Sequence, residues 1–374
     1  MQLTKNILLP LTLSLFMSSA FANVDNVQEL QKIAKKGEVS AQNNLGEAYY
    51  KGQGVIQSYE KAFEWYSQAA AQGHADAQNN LGLMYYQGHD VIRNDSKAIE
   101  WFSKAAAQGH ADAQNNIGAM YYTGRGVNQS DSKAFEWYSK AAAQGIASVQ
   151  YNLGLMYANG RGVAQSDTKA FEWYSKAAAQ GNADAQNNIG VMYDNGQSIV
   201  QSDTKAFEWY SKAAAQGNAD AQNNLGLMYA KGRGVAQSWF KAFEWYSKAA
   251  AQGYADAQYK LGVMYDNGQS IVQSDTKAFE WYSKAAAQGN ADAQNNLGIM
   301  YINGQGISEN SALGIEWLLK AASNGNAMAQ FNIAKSYLNG TNGLPQNRTQ
   351  ALNWLKKAAN NGHAQAELML AGLQ

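Results

Sequence analysis

The sequence predicts an all-α fold, a solenoid of nine helix–loop–helix units with a capping helix at each end. Three observations predict it. The stretch KAFEWYSKAAAQGNADAQNN, clean at Lys205 to Asn224, returns at a fixed step of 36 residues. Its AQNN end, or a variant of it, begins at Ala41, Ala77, Ala113, Val149, Ala185, Ala221, Ala257, Ala293 and Ala329, and a last step of 37 reaches Ala366. Periods of this length mark helical or other repeat arrays. Within each unit, apolar residues recur twice at helical spacing, and glycines separate the two runs.

Residues 1–22 stand apart from the rest. Lys5 supplies a positive segment, Ile7 to Met17 an apolar run, and Ala20-Phe21-Ala22 a small-x-small cleavage site. That is the pattern of a secretory signal peptide cut near Ala22. The run is too short to span a bilayer, and no later run reaches the ~18 apolar residues a spanning helix needs. The mature chain is therefore expected to start near Asn23 and to be soluble, periplasmic or secreted. Residues 23–40 hold an N-terminal capping helix, Val27 to Lys36, whose charged surface (QELQKIAKKG) suits a solenoid end that meets water.

Residues 41–365 hold the nine units. In the one from Ala185 to Asp220, Ala185, Ile189, Met192 and Tyr193 fall at i, i+4, i+7 and i+8, one apolar stripe. Gly190 costs a helix about 1 kcal/mol against alanine. Its return at Gly46, Gly82, Gly118, Gly154, Gly226, Gly262 and Gly298 predicts a neighbour too close for a Cβ. Gly196 ends this helix as a left-handed cap. The second helix starts with Ser202 as N-cap and Asp203 in the first turn, at the positive end of its dipole. Ala206, Trp209, Tyr210 and Ala213 form its buried stripe, Glu208 and Lys212 pair on the solvent side, and Gly217 closes it. Tryptophan recurs at one position from Trp65 to Trp354, which reads as packing rather than ligand stacking; only Trp239 falls outside the repeat. At the far end Leu344-Pro345-Gln346 lengthens a loop, and residues 366–374 supply a lone first helix as C-terminal cap.

The string A-x-x-x-L-G-x-M-Y-x-x-G-x-G-V, followed by K-A-x-E-W-Y-x-K-A-A-x-Q-G, resembles the Sel-like repeat (SLR), a relative of the tetratricopeptide repeat. The likeness covers the chain after residue 26. It implies an α/α superhelix with a concave inner surface, and an adaptor or scaffold rather than an enzyme. Secreted bacterial relatives include envelope scaffolds, signalling regulators, host-interaction factors and immunity proteins against envelope-attacking effectors. A cysteine-rich secreted branch is associated with β-lactam binding and slow hydrolysis; this chain has no cysteine, which places it outside that branch. Three loops depart from the pattern, at His89-Asp90, Gln197-Ser198 and Gln269-Ser270, and are expected to turn differently.

Composition narrows the chemistry. Lys plus Arg equals Asp plus Glu at 29 each, so nothing favours a nucleic-acid partner. Without cysteine there is neither a disulfide framework nor a thiolate metal site. Ser58 to Lys61 fits S-x-x-K, the nucleophile motif of penicillin-recognising enzymes. So do Ser130 to Lys133, Ser166 to Lys169, Ser202 to Lys205, Ser238 to Lys241 and Ser274 to Lys277. Six periodic copies, with S-D-N and K-T-G absent, point to a capping serine and an exposed lysine. His74, His110 and His363 share one position before a first helix and read as exposed, non-ligating residues, with no second ligand type at metal spacing. The loop G-x-G follows a helix, not a strand, which disfavours a dinucleotide. No catalytic, cofactor or metal residue is assigned.

Binding is where the units differ. Three variable first-helix positions at i, i+4, i+7 lie on one face, from Asn43/Glu47/Tyr50 to Phe331/Lys335/Leu338. If first helices line the inside of the curve, as the resemblance implies, this face is the groove. Its aromatics Tyr50, Tyr86, Tyr122, Tyr151, Tyr259 and Phe331 suit a peptide or protein partner; neutral drift on a solvated face is the competing view. Trp239-Phe240 replace the usual Asp-Thr at a second-helix start, either as an exposed contact site or packed onto a loop. The reading is a non-catalytic interaction scaffold, with a β-lactam-directed protein and an immunity protein as alternatives.

Overall fold

The computed structural model describes residues 24–373, so the signal-peptide reading of residues 1–22 lies outside the described residues. Among them there are twenty α-helices and no strand. They divide into two compact bodies, Met1–Gln186 with Gln197–Ile199 and Asn187–Gly196 with Val200–Gln374, taken over the described residues. Both are built from the same pair of helices. A first helix such as Ala75–Gln87 or Ala219–Lys231 ends in a left-handed glycine. A second helix follows, such as Tyr59–Ala71 or Trp239–Ala251, N-capped by a serine or asparagine. The terminal helices are Val24–Lys35 and Ala364–Leu373.

The core comes from both helices of each pair. Second helices give alanines and one aromatic, as in Ala134, Tyr138, Ala141 and Ala142; first helices give Val149, Leu153 and Met156 to the same cluster. The tyrosine, not the tryptophan before it, is the buried aromatic. The repeat tryptophans are half-buried, and all but Trp65, which has Gln68 there, are roofed by the lysine three residues on, as Lys176 lies 3.9 Å from the centroid of Trp173. In the Ala185–Asp220 unit, Lys212 accordingly covers Trp209 at 4.1 Å. Tryptophan therefore walls the core and uses the lysine stem as its outer cover.

The helical glycines answer to that tyrosine. A Cβ on Gly154 would stand 2.6 Å from Cδ1 and Cε1 of Tyr174, closer than carbon atoms approach. The close neighbour predicted from the recurrence is thus the ring of the same unit's second helix.

The three departing loops do not turn differently. Asp90, Ser198 and Ser270 have φ of 51°, 59° and 56°, in the left-handed region that glycine takes at Gly126, where φ is 70°. At Ser270 the cause is the hydrogen bond that closes the preceding helix. Gln269 N–H donates to Met264 O at 3.0 Å, as Arg233 N–H does to Met228 O at 3.0 Å, so the turn imposes its backbone on whatever residue follows. A side chain there costs about 1 kcal/mol. Ser270→Gly is accordingly expected to raise stability by up to ~0.5 kcal/mol after the extra freedom of glycine in the unfolded chain, read from urea unfolding; a midpoint that falls would refute the strain.

Amides join each unit to the next. Gln108 Nε2 donates to Gln78 Oε1 at 2.8 Å, Gln144 to Gln114 at 2.8 Å and Gln252 to Gln222 at 2.8 Å. Gln78 in turn donates to Ala70 O at 3.2 Å. The asparagines do the same, Asn116 to Asn79 at 3.0 Å and Asn224 to Asn187 at 3.2 Å. The recurring AQNN is this polar ladder: the glutamines bond across the joint and fix the register of one unit on another, while the asparagines are only partly satisfied, with both amide atoms of Asn115 buried without a hydrogen-bond partner.

Candidate functional site

The capping serines settle the S-x-x-K copies. Ser166 Oγ accepts the backbone N–H of Lys169 at 3.3 Å, and Ser58 that of Lys61 at 3.2 Å. The lysine ammonium lies elsewhere, 5.3 Å from the ring centroid of Tyr157 for Lys169 and 5.2 Å from that of Tyr49 for Lys61. These serines are helix caps, and their lysines are turned to the preceding tyrosines rather than to the hydroxyls.

The histidines are caps too, a correction to the exposed reading. His110 Nδ1 accepts Ala113 N–H at 3.2 Å, its Nε2 meets Asp76 Oδ1 at 3.0 Å, and the side chain is 11% exposed. That contact holds the Asp76 carboxyl below its usual range, against the upward pull of burial. His74 and His363 cap Ala77 and Ala366 in the same way. No group of three or more His, Asp or Glu that could hold a metal occurs among the described residues.

The variable first-helix face is less open than its composition suggests. Asn43, Asn79, Asn115, Asn187, Asn223 and Asn295 are buried, as are Leu83 and Ala119. Phe331 is buried as well, its ring stacked on His363 at 4.3 Å between centroids. A phenylalanine there closes the last joint rather than facing a partner. Tyr50, Tyr86, Tyr122, Tyr151 and Tyr259 are half-buried. Tyr151 and Tyr259 lean on the core rings Tyr174 and Tyr282, at 5.8 and 5.9 Å.

The other three tyrosines are each gripped by the next unit's loop. Arg125 lies 3.5 Å over Tyr86 and donates from Nη2 to Asp95 Oδ1 at 3.0 Å. Arg161 lies 4.1 Å over Tyr122 and donates to Asp131 at 3.0 Å. At Tyr50 the loop residue is His89, stacked on Tyr59 at 4.5 Å and in contact with the Tyr50 hydroxyl at 3.2 Å. One loop side chain thus reads two positions of the preceding unit. The second loop glycine makes room for this: a Cβ on Gly126 would stand 2.7 Å from Asp95 O.

Trp239 packs at the edge of the core cluster around Tyr210 and Tyr246, but Phe240 is 60% exposed. Loop residues Ile56, Ile92, Val200 and Val272 are more open still, at 87–92%. No helix among the described residues is long and apolar enough to cross a membrane.

Repeated helix pairs joined by amide ladders, with serines engaged as caps and variation gathered on one helix face, define a non-catalytic α-helical repeat protein of the kind that binds proteins or peptides. The chain belongs to the Sel1 repeat family, whose pattern it matches nine times without a break, over residues 39–74, 75–110, 111–146, 147–182, 183–218, 219–254, 255–290, 291–326 and 327–363. Among solved structures it is similar to a protective antigen of uropathogenic Escherichia coli with an SLR fold, at 34% identity and a TM-score of 0.72 over 93% of this chain and 82% of that one. It is also similar to a Sel1 repeat protein of Oxalobacter formigenes, at 34% identity and 0.65 over 82% and 89% of the two chains. No curated protein matches it.

Proposed function

We propose that this protein is a binding scaffold outside the cytoplasm, released by cleavage near Ala22, that holds a protein or peptide through its variable first-helix positions and through Trp239-Phe240. Phe240 carries the reading. It is a large aromatic, 60% exposed, where the units that precede and follow it have threonine. An exposed aromatic held on a rigid helix start is the usual anchor of an interface. Tyr151 and Tyr259 add aromatic surface on the first-helix face, while Phe331 acts as core. The helices at the two ends serve as caps in this reading, and residues 41–365 as the binding array.

The test uses a photo-crosslinking phenylalanine analogue at position 240 in the native envelope. One adduct is expected, and Tyr259→Ala should lower its yield by about tenfold, some 1.4 kcal/mol of binding, with far-UV dichroism unchanged. An adduct insensitive to that change, or none at all, would remove the reading.

A further inference from the structure

We propose that Asp266 and Asp275 form a receptor for an arginine side chain of the bound protein, an inference that rests on the scaffold reading and gives the partner a chemistry. Three loops carry arginine after the helix-ending glycine, and each guanidinium enters the same slot between two positions of the preceding unit. Arg125 and Arg161 meet a tyrosine and an aspartate there. Arg233 meets two carboxylates: its Nη2 donates to Asp203 Oδ1 at 2.6 Å and also to Asp194. Asp194 is further tied to the Tyr210 hydroxyl at 3.5 Å.

Two units later the same two positions hold Asp266 and Asp275, and the place of Arg233 is taken by Gln305. Asp266 accepts from the Tyr282 hydroxyl at 3.2 Å, so its carboxylate is aimed as Asp194 is. Gln305 is exposed and neutral, and its Oε1 accepts from Asn303 at 3.5 Å. No cation of the chain pairs with Asp266 or Asp275 among the described residues. Two half-buried carboxylates therefore stand at the positions that, in the sister copy, hold a guanidinium between them. A planar guanidinium with five fixed donors bridges two carboxylates in a way an ammonium cannot. A metal fits less well, since no third acidic or histidine ligand stands within reach among the described residues. Asp266 also shares its helix face with Tyr259, on the side assigned to the partner.

Calorimetric titration of the mature protein with Gly-Arg-Gly amide, its lysine analogue and its citrulline analogue tests this. The arginine peptide should bind saturably, the other two at least about tenfold more weakly, and Asp275→Asn should abolish the difference. Gln305→Arg should fill the slot from within, raising Tm and removing arginine-peptide binding. An arginine peptide that does not bind, or that binds Gln305→Arg as well as the parent, overturns the receptor; so does a Tm that rises with calcium alone. If Gln305→Arg still forms the position-240 adduct in full yield, the receptor fails while the scaffold stands. If the adduct is missing and the peptide still binds, the reverse holds.

Discussion

Truncating Tyr174 to alanine is expected to cost about 3–5 kcal/mol, and in that background Gly154→Ala changes sign. In the parent chain a methyl at Gly154 meets the tyrosine ring at 2.6 Å, with Ala170 O at 3.4 Å. Overpacking of this kind costs ~1–3 kcal/mol and outweighs the helix propensity gained, about 1 kcal/mol. Once the ring is gone the clash goes too. Gly154→Ala then keeps its propensity gain and fills part of the cavity, so the double variant should be more stable than Tyr174→Ala by ~1 kcal/mol. Urea unfolding of the four proteins reads this directly. A glycine substitution with the same effect in both backgrounds would show that the ring does not dictate the residue.

Alkali should unfold the protein more steeply than most. Tyr66, Tyr138, Tyr210, Tyr246 and Tyr282 are 0–2% exposed, and burial first of all pushes each phenol above its ordinary value. Nearby carboxylates add to the rise at Tyr66, Tyr210 and Tyr282. The neutral form is the one the core accepts, so this stability is complete below the unfolded value near pH ~10 and is lost as pH climbs above it. Each group contributes a slope of about 1.4 kcal/mol per pH unit, and the five together ~7 kcal/mol per unit. Phenolate absorbance at 295 nm and far-UV dichroism should change together in one narrow transition above about pH 10. Phenolates that form one by one while the helices persist would contradict the burial of these rings. Phe102, the one aromatic of this row without a hydroxyl, is spared the effect.

The helices were legible because each depends on neighbours a few residues away. The repeat of Gly190, Tyr193 and Tyr210 is written in the units themselves, and the glycines even announced a close approach. What escaped was written 30 to 39 residues apart. The capping role of His110 needs Ala113 N–H on one side and Asp76 from the unit before on the other. The amides of AQNN look like groups bound for water until Gln108 is seen to reach Gln78. Phe331 varies between units as a contact residue would, yet it is buried by His363, Leu355 and Ala366 of the last helices, a closure that only the packing of the chain end reveals. Residue type alone misleads at Asp90, Ser198 and Ser270, which share the left-handed backbone of a glycine; at Ser270 a hydrogen bond from the preceding residue's backbone outranks the preference of the side chain.

The loop residue that reads two positions of its predecessor has a genetic corollary. Near-identical tandem DNA can slip during copying, but the protein tolerates only some outcomes. Loss of residues 111–146 would hand Tyr86 and Asp95 from Arg125 to Arg161, an identical mate, whereas loss of 183–218 would set Arg233 against Ala158 instead of Asp194. Array length can therefore drift at some junctions and is locked at others, where the neighbours were matched to each other as a pair.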